Sequence, residues 1–256
     1  MEKPVILVTN DDGVMAPGIR HLVQFMLEIG DVVVVAPDKP QSGMGHAVTI
    51  ANPLRLEKIT VDGAHQEYSC SGTPVDCVKL AVNKVLHRKP DLLVSGINHG
   101  SNSSINVIYS GTMSAAIEGS MEGIPSIGFS LLDGRFDANF LHCKDYVQEI
   151  ARTVLKNGLP HGICLNVNIP AVEASELQGI KVCRQARANW EEEFDHRKDP
   201  RGKDYFWLTG RFKLHEDSQE TDEWALDSNY VSVVPVQFDF TAHTLIPEMK
   251  TWKFEV

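Results

Sequence analysis

The sequence predicts an α/β fold built on a doubly wound, mostly parallel sheet. Two observations carry this expectation. Short β-rich runs alternate with helix-period patterns through residues 5–169, the order that right-handed βαβ units produce. One of the runs, DVVVVA at 31–36, is apolar without interruption, as a parallel strand covered on both faces must be.

The elements follow in order. Val5–Thr9 (VILVT) is the first strand. Residues 18–30 (GIRHLVQFMLEIG) form a helix with Leu22, Phe25, Met26 and Ile29 on one face and Gly30 as its stop. Residues 31–36 return as a strand. Residues 73–86 open with Thr73 as N-cap and Pro74 at the first helical position, and Val75, Val78, Val82 and Val85 mark the apolar face. Residues 91–95 (DLLVS), 125–129 and Ile163–Ile169 (ICLNVNI) read as strands. Residues 112–121 and Lys144–Asn157 read as helices, ended near Gly123 and at Gly158.

The texture changes after residue 183. Residues 191–227 are dense in charge and lack helical periodicity, but contain the strand-like DYFWLTG. Residues 230–236 (YVSVVPV) read as a further strand, followed by DFTAHTLIP. One domain over 1–256 is expected, with an α/β core at 1–183, a protruding arm at 184–228 and a return segment at 229–256. A lone hairpin is marginal in water, so an acidic, aromatic-bearing arm packed on another subunit is one reading of 184–228. A solvated excursion is the other.

Composition narrows the function. The net charge is −10 among 256 residues and the pI about 5.4. Nucleic-acid binding leaves a basic footprint, so no duplex partner is expected. An acidic protein that takes an anionic substrate needs a local positive element, such as a metal or a helix N-terminus. No run approaches eighteen apolar residues, and MEKPVILVTNDD has too short an apolar run for a signal peptide; no membrane association is expected. The five cysteines include no C-x-x-C and sit mostly in apolar surroundings. They read as reduced core residues in a cytoplasmic protein.

Three oxygen-rich stretches fall just after strand runs: Asp11-Asp12 after the first, Ser42 in PDKPQSG after DVVVVA, and Asn98 in SGINHG after DLLVS. In open parallel sheets, ligands bind outside the carboxyl ends of strands. These donors are all hard oxygens, a set that suits Mg²⁺ or Mn²⁺ better than zinc. A divalent cation would also neutralise the repulsion between adjacent carboxylates. Taken singly, Asp-Asp-Gly, Ser-Gly and Asn-His-Gly are also ordinary turn sequences.

A second element is YSGTMSAAIEG at 109–119, where Ser110, Gly111 and Thr112 precede a small-residue helix. This is either an ordinary N-cap or, beside a cation site, a phosphate cradle. The chain lacks G-x-x-x-x-G-K-[ST], a G-x-G-x-x-G after the first strand, and G-x-S-x-G. That argues against a P-loop triphosphatase, a dinucleotide oxidoreductase and a nucleophile-elbow hydrolase.

Together ILVTNDDG, APDKPQSGMGHAVT, SGTPVDCVKLA, PDLLVSGINHGSN, YSGTMSAAIEG, DPRGKDYFWLTG and the distal TD, YVSVVPV and DFTAH resemble the survival protein E (SurE) family of stationary-phase nucleotidases, over nearly the whole chain. The resemblance implies a Rossmann-like core with a C-terminal β-hairpin arm exchanged between subunits, in a homodimer or homotetramer. It implies a 5′-nucleotidase that dephosphorylates nucleoside monophosphates, with 3′-monophosphates and short polyphosphate as further substrates, and one divalent cation (Mg²⁺ or Mn²⁺) per subunit. Asp11, Asp12, Ser42 and Asn98 fall where the family binds its metal, and Asn102, Ser110, Gly111 and Thr112, with Asn10 beside them, where it holds phosphate. Asp239 and His243 match a pair near its active site; residue spacing alone does not single out His243 from His46 or His99. Pro40 and Gly45 depart from the family's commoner wording in the Ser42 loop. A non-catalytic nucleotide-binding module is the rival reading, and an aspartate nucleophile is the rival mechanism to an activated water.

Overall fold

In the computed structural model, which describes residues 3–61, 63–135 and 137–254, strand β1 (Val5–Thr9) lies inside a mostly parallel sheet. Its Ile6, Leu7 and Val8 are fully buried. Side chains alternate along a strand, so Ile6 and Val8 enter one apolar cluster and Leu7 another on the opposite face. A one-residue slip would exchange these faces, which fixes the register. Each such side chain contributes about 1.5–3 kcal/mol on burial.

Helix α1 (Pro17–Leu27) starts with Pro at its first turn and buries Ile19, Leu22, Val23, Phe25 and Met26 against the Ile6–Val8 face. Gly18 is required there, because a Cβ would lie 1.9 Å from the Ile97 carbonyl oxygen. The chain continues through β2 (Asp31–Pro37), β3 (Leu56–Ile59) and β4 (Gln66–Cys70) to α2 (Pro74–Leu80). Thr73 and Asp76 form a reciprocal capping box, and a π-helical turn over Ala81–Val85 extends α2. Then come β5 (Leu92–His99), α3 (Gly111–Met121), β6 (Ser126–Leu131), α4 (Lys144–Asn157), β7 (Ile163–Ile169) and β8 (Ile180–Val182). The remaining elements are β9 (Ala188–Lys198), β10 (Asp204–Leu214), α5 (Asp222–Asp227), β11 (Val231–Gln237) and α6 (Ile246–Met249).

The described residues form a nine-stranded sheet in the order β3-β4-β2-β1-β5-β6-β7-β11-β8. Strands β4, β2, β1, β5, β6 and β7 are mutually parallel. β3 and β11 run antiparallel to their neighbours β4 and β7. Helices α1 and α4 cover one face, α2 and α3 the other. The chain winds outward from β1 through β2 to β4, then returns to β5 on the other side of β1 and winds outward again. The order therefore reverses between β1 and β5, which is where a doubly wound sheet opens its ligand crevice.

Three details differ from the sequence expectation. Asn98 lies within β5 rather than in a loop after it. A register irregularity between Ser95 and Asn98 interrupts pairing with β6, and the strand then resumes through His99. The 191–227 stretch does contain a helix, α5, capped by the Thr221 hydroxyl on the Trp224 amide; six residues are too few to display a period. Strands β3 (LEKI) and β4 (QEYSC) were absent from the expectation, because their mostly part-exposed composition hides them. All five cysteines are free and buried, as expected.

Hairpin β9–β10 pairs with itself alone among the described residues and forms a separate two-stranded sheet. Its Phe194, Phe206, Trp207 and Leu208 are each about 60% exposed. No helix among the described residues is long and apolar enough to cross a membrane.

Candidate functional site

The crevice at the carboxyl ends of β1 and β5 collects most of the predicted residues. β1 ends at Thr9, paired with Ser95 of β5, and the chain turns at once through Asn10-Asp11-Asp12-Gly13. Asn10 is buried; its Nδ2 donates to the Gly13 carbonyl at 2.9 Å and so ties the turn, while its Oδ1 has no hydrogen-bond partner among the described residues.

Asp11 is also buried, and Thr112 Oγ1 donates to its Oδ1 at 2.5 Å. Burial first, and the charge of Asp12 second, push the Asp11 carboxyl up to about 6, against the pull of Thr112. Asp12 is half-buried. Its pKa is raised by burial, opposed by His99, whose amide donates to Asp12 Oδ2 at 3.4 Å.

Helix α3 is pressed against this pair. A Cβ on Gly111 would lie 2.6 Å from the Asp11 Cβ and 2.8 Å from its Oδ2, so only glycine allows the helix start to approach. Ser110 Oγ accepts the Met113 amide at 3.0 Å as N-cap, and its own proton remains available. The Thr112 hydroxyl proton is committed to Asp11, so Thr112 has its backbone amide to offer an anion. The positive end of the helix dipole faces the same spot.

The other donors arrive from two loops. Gln41, next to Ser42, donates its amide to the Asp11 carbonyl at 2.7 Å, which holds the Ser42 loop beside the turn. Asn98 Nδ2 donates to the carbonyls of His99 and Gly100 at 3.2 and 2.9 Å; its Oδ1 accepts nothing among the described residues. Among those residues no three His, Cys, Asp or Glu side chains converge as a metal cluster. The donor set is instead two carboxylates with raised affinity for a proton and the Asn98 amide oxygen, with the Ser42 loop tied beside the turn through Gln41. These residues fit a hard divalent cation, which would compete for the place that burial gives to a proton.

Asn102 stands on the loop between β5 and α3. Its Nδ2 donates to Ser130 Oγ at 2.8 Å, its amide to Asn168 Oδ1 at 2.8 Å, and its carbonyl accepts from Asn166 Nδ2 at 2.8 Å.

A family comparison decides what this arrangement belongs to. The family model described as Survival protein SurE matches residues 6–192. The chain belongs to this family. A 5′-nucleotidase SurE of Flavobacterium psychrophilum is 64% identical over 253 residues, covering 98% of this chain and 98% of that protein. One of Christiangramia forsetii is 62% identical, covering 98% and 97%. The crystal structure of SurE from Aquifex aeolicus superposes with a TM-score of 0.84 at 40% identity, over 96% of this chain and 98% of that one.

In this SurE chain Asp239 and His243 pair with each other, His243 Nε2 to Asp239 Oδ2 at 2.7 Å, and both are exposed. No hydrogen bond or ion pair among the described residues links them to the Asp11–Asp12 turn. Asp239 does line a groove of about 740 Å³ that also touches His46 of the Ser42 loop and Ser114 of α3. Ser114 lies one helical turn beyond the Ser110 cap, to whose carbonyl its hydroxyl donates.

Several supporting residues escape sequence reasoning. Glu118 of α3 is buried and accepts from Lys79 of α2 and from His46 Nε2, the latter at 3.0 Å, which ties the Ser42 loop to the helix. Asn166, Asn168 and Ser130 hold Asn102. Only the last group left a trace in the sequence: N-x-N in ICLNVNI puts two amides on one face of an otherwise apolar strand.

Proposed function

We propose that this chain is a divalent-metal-dependent phosphomonoesterase that hydrolyses nucleoside 5′-monophosphates to nucleoside and phosphate. SurE relatives that carry the name 5′-nucleotidase across nearly the whole chain support nucleotidase activity. The observation that carries the mechanism is the Asp11–Asp12 pair set directly against the Gly111 helix start. Without a cation those carboxylates would repel a phosphate, so a non-catalytic binding module is disfavoured.

Asp11, Asp12, Ser42 and Asn98 would hold one Mg²⁺ or Mn²⁺ per subunit. When bound, the cation supplies charge stabilisation at the phosphoryl group and eases deprotonation of water. The chain's own groups do the rest. The Ser110 hydroxyl, the Gly111 and Thr112 amides and the Asn102 side chain bind phosphate oxygens, where negative charge sits in the transition state, with Asn10 bracing the turn behind them. Asp12 Oδ1, which accepts no hydrogen bond among the described residues, orients the attacking water and takes its proton. Water oxygen bonds to phosphorus as the ester bond breaks, and His243, paired with Asp239, gives a proton to the departing 5′-oxygen. Asp11 is committed to Thr112 and ranks behind water as a nucleophile. 3′-Monophosphates and short polyphosphate fit the same phosphate-centred recognition. The deciding experiment is turnover of AMP: phosphate release with Mg²⁺ or Mn²⁺ and none after EDTA is expected, whereas AMP binding without release would favour the binding module.

The same reading gives the protein a cytoplasmic site of action, consistent with its five free, buried cysteines, and a homodimeric or homotetrameric assembly through exchange of the β9–β10 arm. Trp190, Phe194, Tyr205, Phe206 and Trp207 are costly to leave in water together, and exchange of an identical arm closes symmetrically. Light scattering at micromolar concentration is expected to give at least twice the 28.4 kDa chain mass; a monomer would overturn the exchange.

A further inference from the structure

Asp222, outside the residues assigned above, is a carboxylate only 1% exposed, and none of its hydrogen bonds or ion pairs among the described residues is to a cation. Burying a charge without a cation is costly unless other donors replace water. Here the donors are three backbone amides. Ser104 donates to Oδ2 at 2.8 Å, and Ala186 and Glu223 to Oδ1 at 2.9 Å each. These amides come from three separate segments: the loop after β5, the entry to the β9–β10 arm, and α5 itself.

Neighbouring contacts tie the same three segments. Ser104 Oγ donates to the Ala186 carbonyl at 2.9 Å, and Ser103 Oγ to Glu223 Oε1 at 2.5 Å. Trp190 of β9 reaches Asn106 Oδ1 through its Nε1 at 2.8 Å. Ser104 is itself held at φ +52°, a left-handed conformation that a non-glycine residue keeps only when its surroundings fix it. The loop that carries Asn102 is thus gripped from two sides, by the Asn166–Asn168–Ser130 ladder of the sheet and by Asp222 at the root of the arm.

We propose that Asp222 is a positioning residue for phosphate binding, which locks the root of the arm to the 101–104 loop and so fixes Asn102 toward the phosphate site. This rests on the reading of Asn102 as a phosphate-binding residue. Its consequence is that the arm and the loop carrying Asn102 are mechanically one unit, whereas no hydrogen bond among the described residues links Asp222 to Asp11, Asp12 or Asn98.

The test is Asp222→Asn, which keeps the shape but turns one acceptor into a donor facing an amide. Inorganic phosphate titrated calorimetrically into the Mg²⁺-supplemented protein is expected to bind about 5- to 50-fold more weakly, the range for residues coupled in one network. The Mn²⁺ concentration for half-maximal AMP turnover is expected to stay within about twofold, because the cation donors are untouched. Ser103→Ala, a milder cut of the same clasp, is expected to weaken phosphate binding by a smaller factor, and it carries the test if Asp222→Asn does not fold. Unchanged phosphate affinity in the folded variant, or a parallel loss of cation response, would overturn the proposal. Phosphate affinity is measured without turnover, so a wild-type protein that binds phosphate but leaves AMP intact would refute the nucleotidase reading and still leave the Asp222 result decisive.

Discussion

Asp12→Asn is expected to cut turnover of AMP by about 10³-fold, the several kcal/mol that a correctly held cation supplies to phosphoryl transfer, while the cation-free protein stays folded and gains stability. The two halves of this expectation have one cause. Asp11 and Asp12 are adjacent, both lose hydration, and the Asp11 carboxyl sits at about 6 rather than 3.8. A carboxyl whose folded pKa is raised stabilises the fold fully below the unfolded value and loses that contribution as pH rises through the folded value. In EDTA the wild-type protein is therefore expected to lose stability between about pH 4 and pH 6.

Asn at position 12 removes the second-largest cause of the shift and leaves burial, the largest. The variant is expected to be more stable than wild type by on the order of 1 kcal/mol at pH 8 in EDTA, with the difference shrinking toward pH 4. Adding Mg²⁺ is expected to raise the wild-type melting temperature, since a ligand that binds only the folded state stabilises it, and to do little for the variant. Thermal unfolding at pH 4 and pH 8, with and without Mg²⁺, reads all of this beside the AMP assay. A variant that loses turnover together with stability would point to a folding defect, and full wild-type turnover after exhaustive EDTA dialysis would overturn the metal role.

The sequence made this much of the site legible for a physical reason. Burial of β1 on both faces demands an apolar run, and the run's end is where the polar NDDG turn follows at the mouth of the crevice, so a strand-end site is visible in eight letters. Ser110-Gly111-Thr112 was legible as a helix start, and Gly111 as small. That Gly111 must be glycine because Asp11 lies 2.6 Å from its missing Cβ was not, since Asp11 is a hundred residues earlier in the chain. The same holds for Asp222. Its donors are more than a hundred residues apart in sequence, at Ser104 and Glu223, and no local pattern records a contact that only the tertiary fold makes. Helix α5 and strands β3 and β4 were hidden because they are short, and their order comes from the neighbours they pair with rather than from their own period.

His243→Ala is expected to cost about 10²–10⁴-fold on AMP, the usual span of general acid catalysis, and far less on p-nitrophenyl phosphate. A nucleoside 5′-oxygen departs as a strongly basic alkoxide and needs a proton in the transition state. A nitrophenolate leaves readily without one. In this chain His243 Nε2 lies 2.7 Å from Asp239 Oδ2. Hydrogen bonds from Thr241 first, and then from His243, hold the Asp239 carboxyl down at about 2. Asp239 is thus an anion throughout the neutral range, and its hydrogen bond to the His243 ring orients that ring. Asp239→Asn is therefore expected to act in the same direction as His243→Ala with a smaller effect. The pair is exposed, and its Asp239 lines the groove that His46 and Ser114 share, so its substrate dependence is the informative reading. Equal losses on AMP and p-nitrophenyl phosphate would make His243 a group that positions the phosphate or the C-terminal segment. A selective loss on AMP, with the oligomer intact, is the signature of the proton donor.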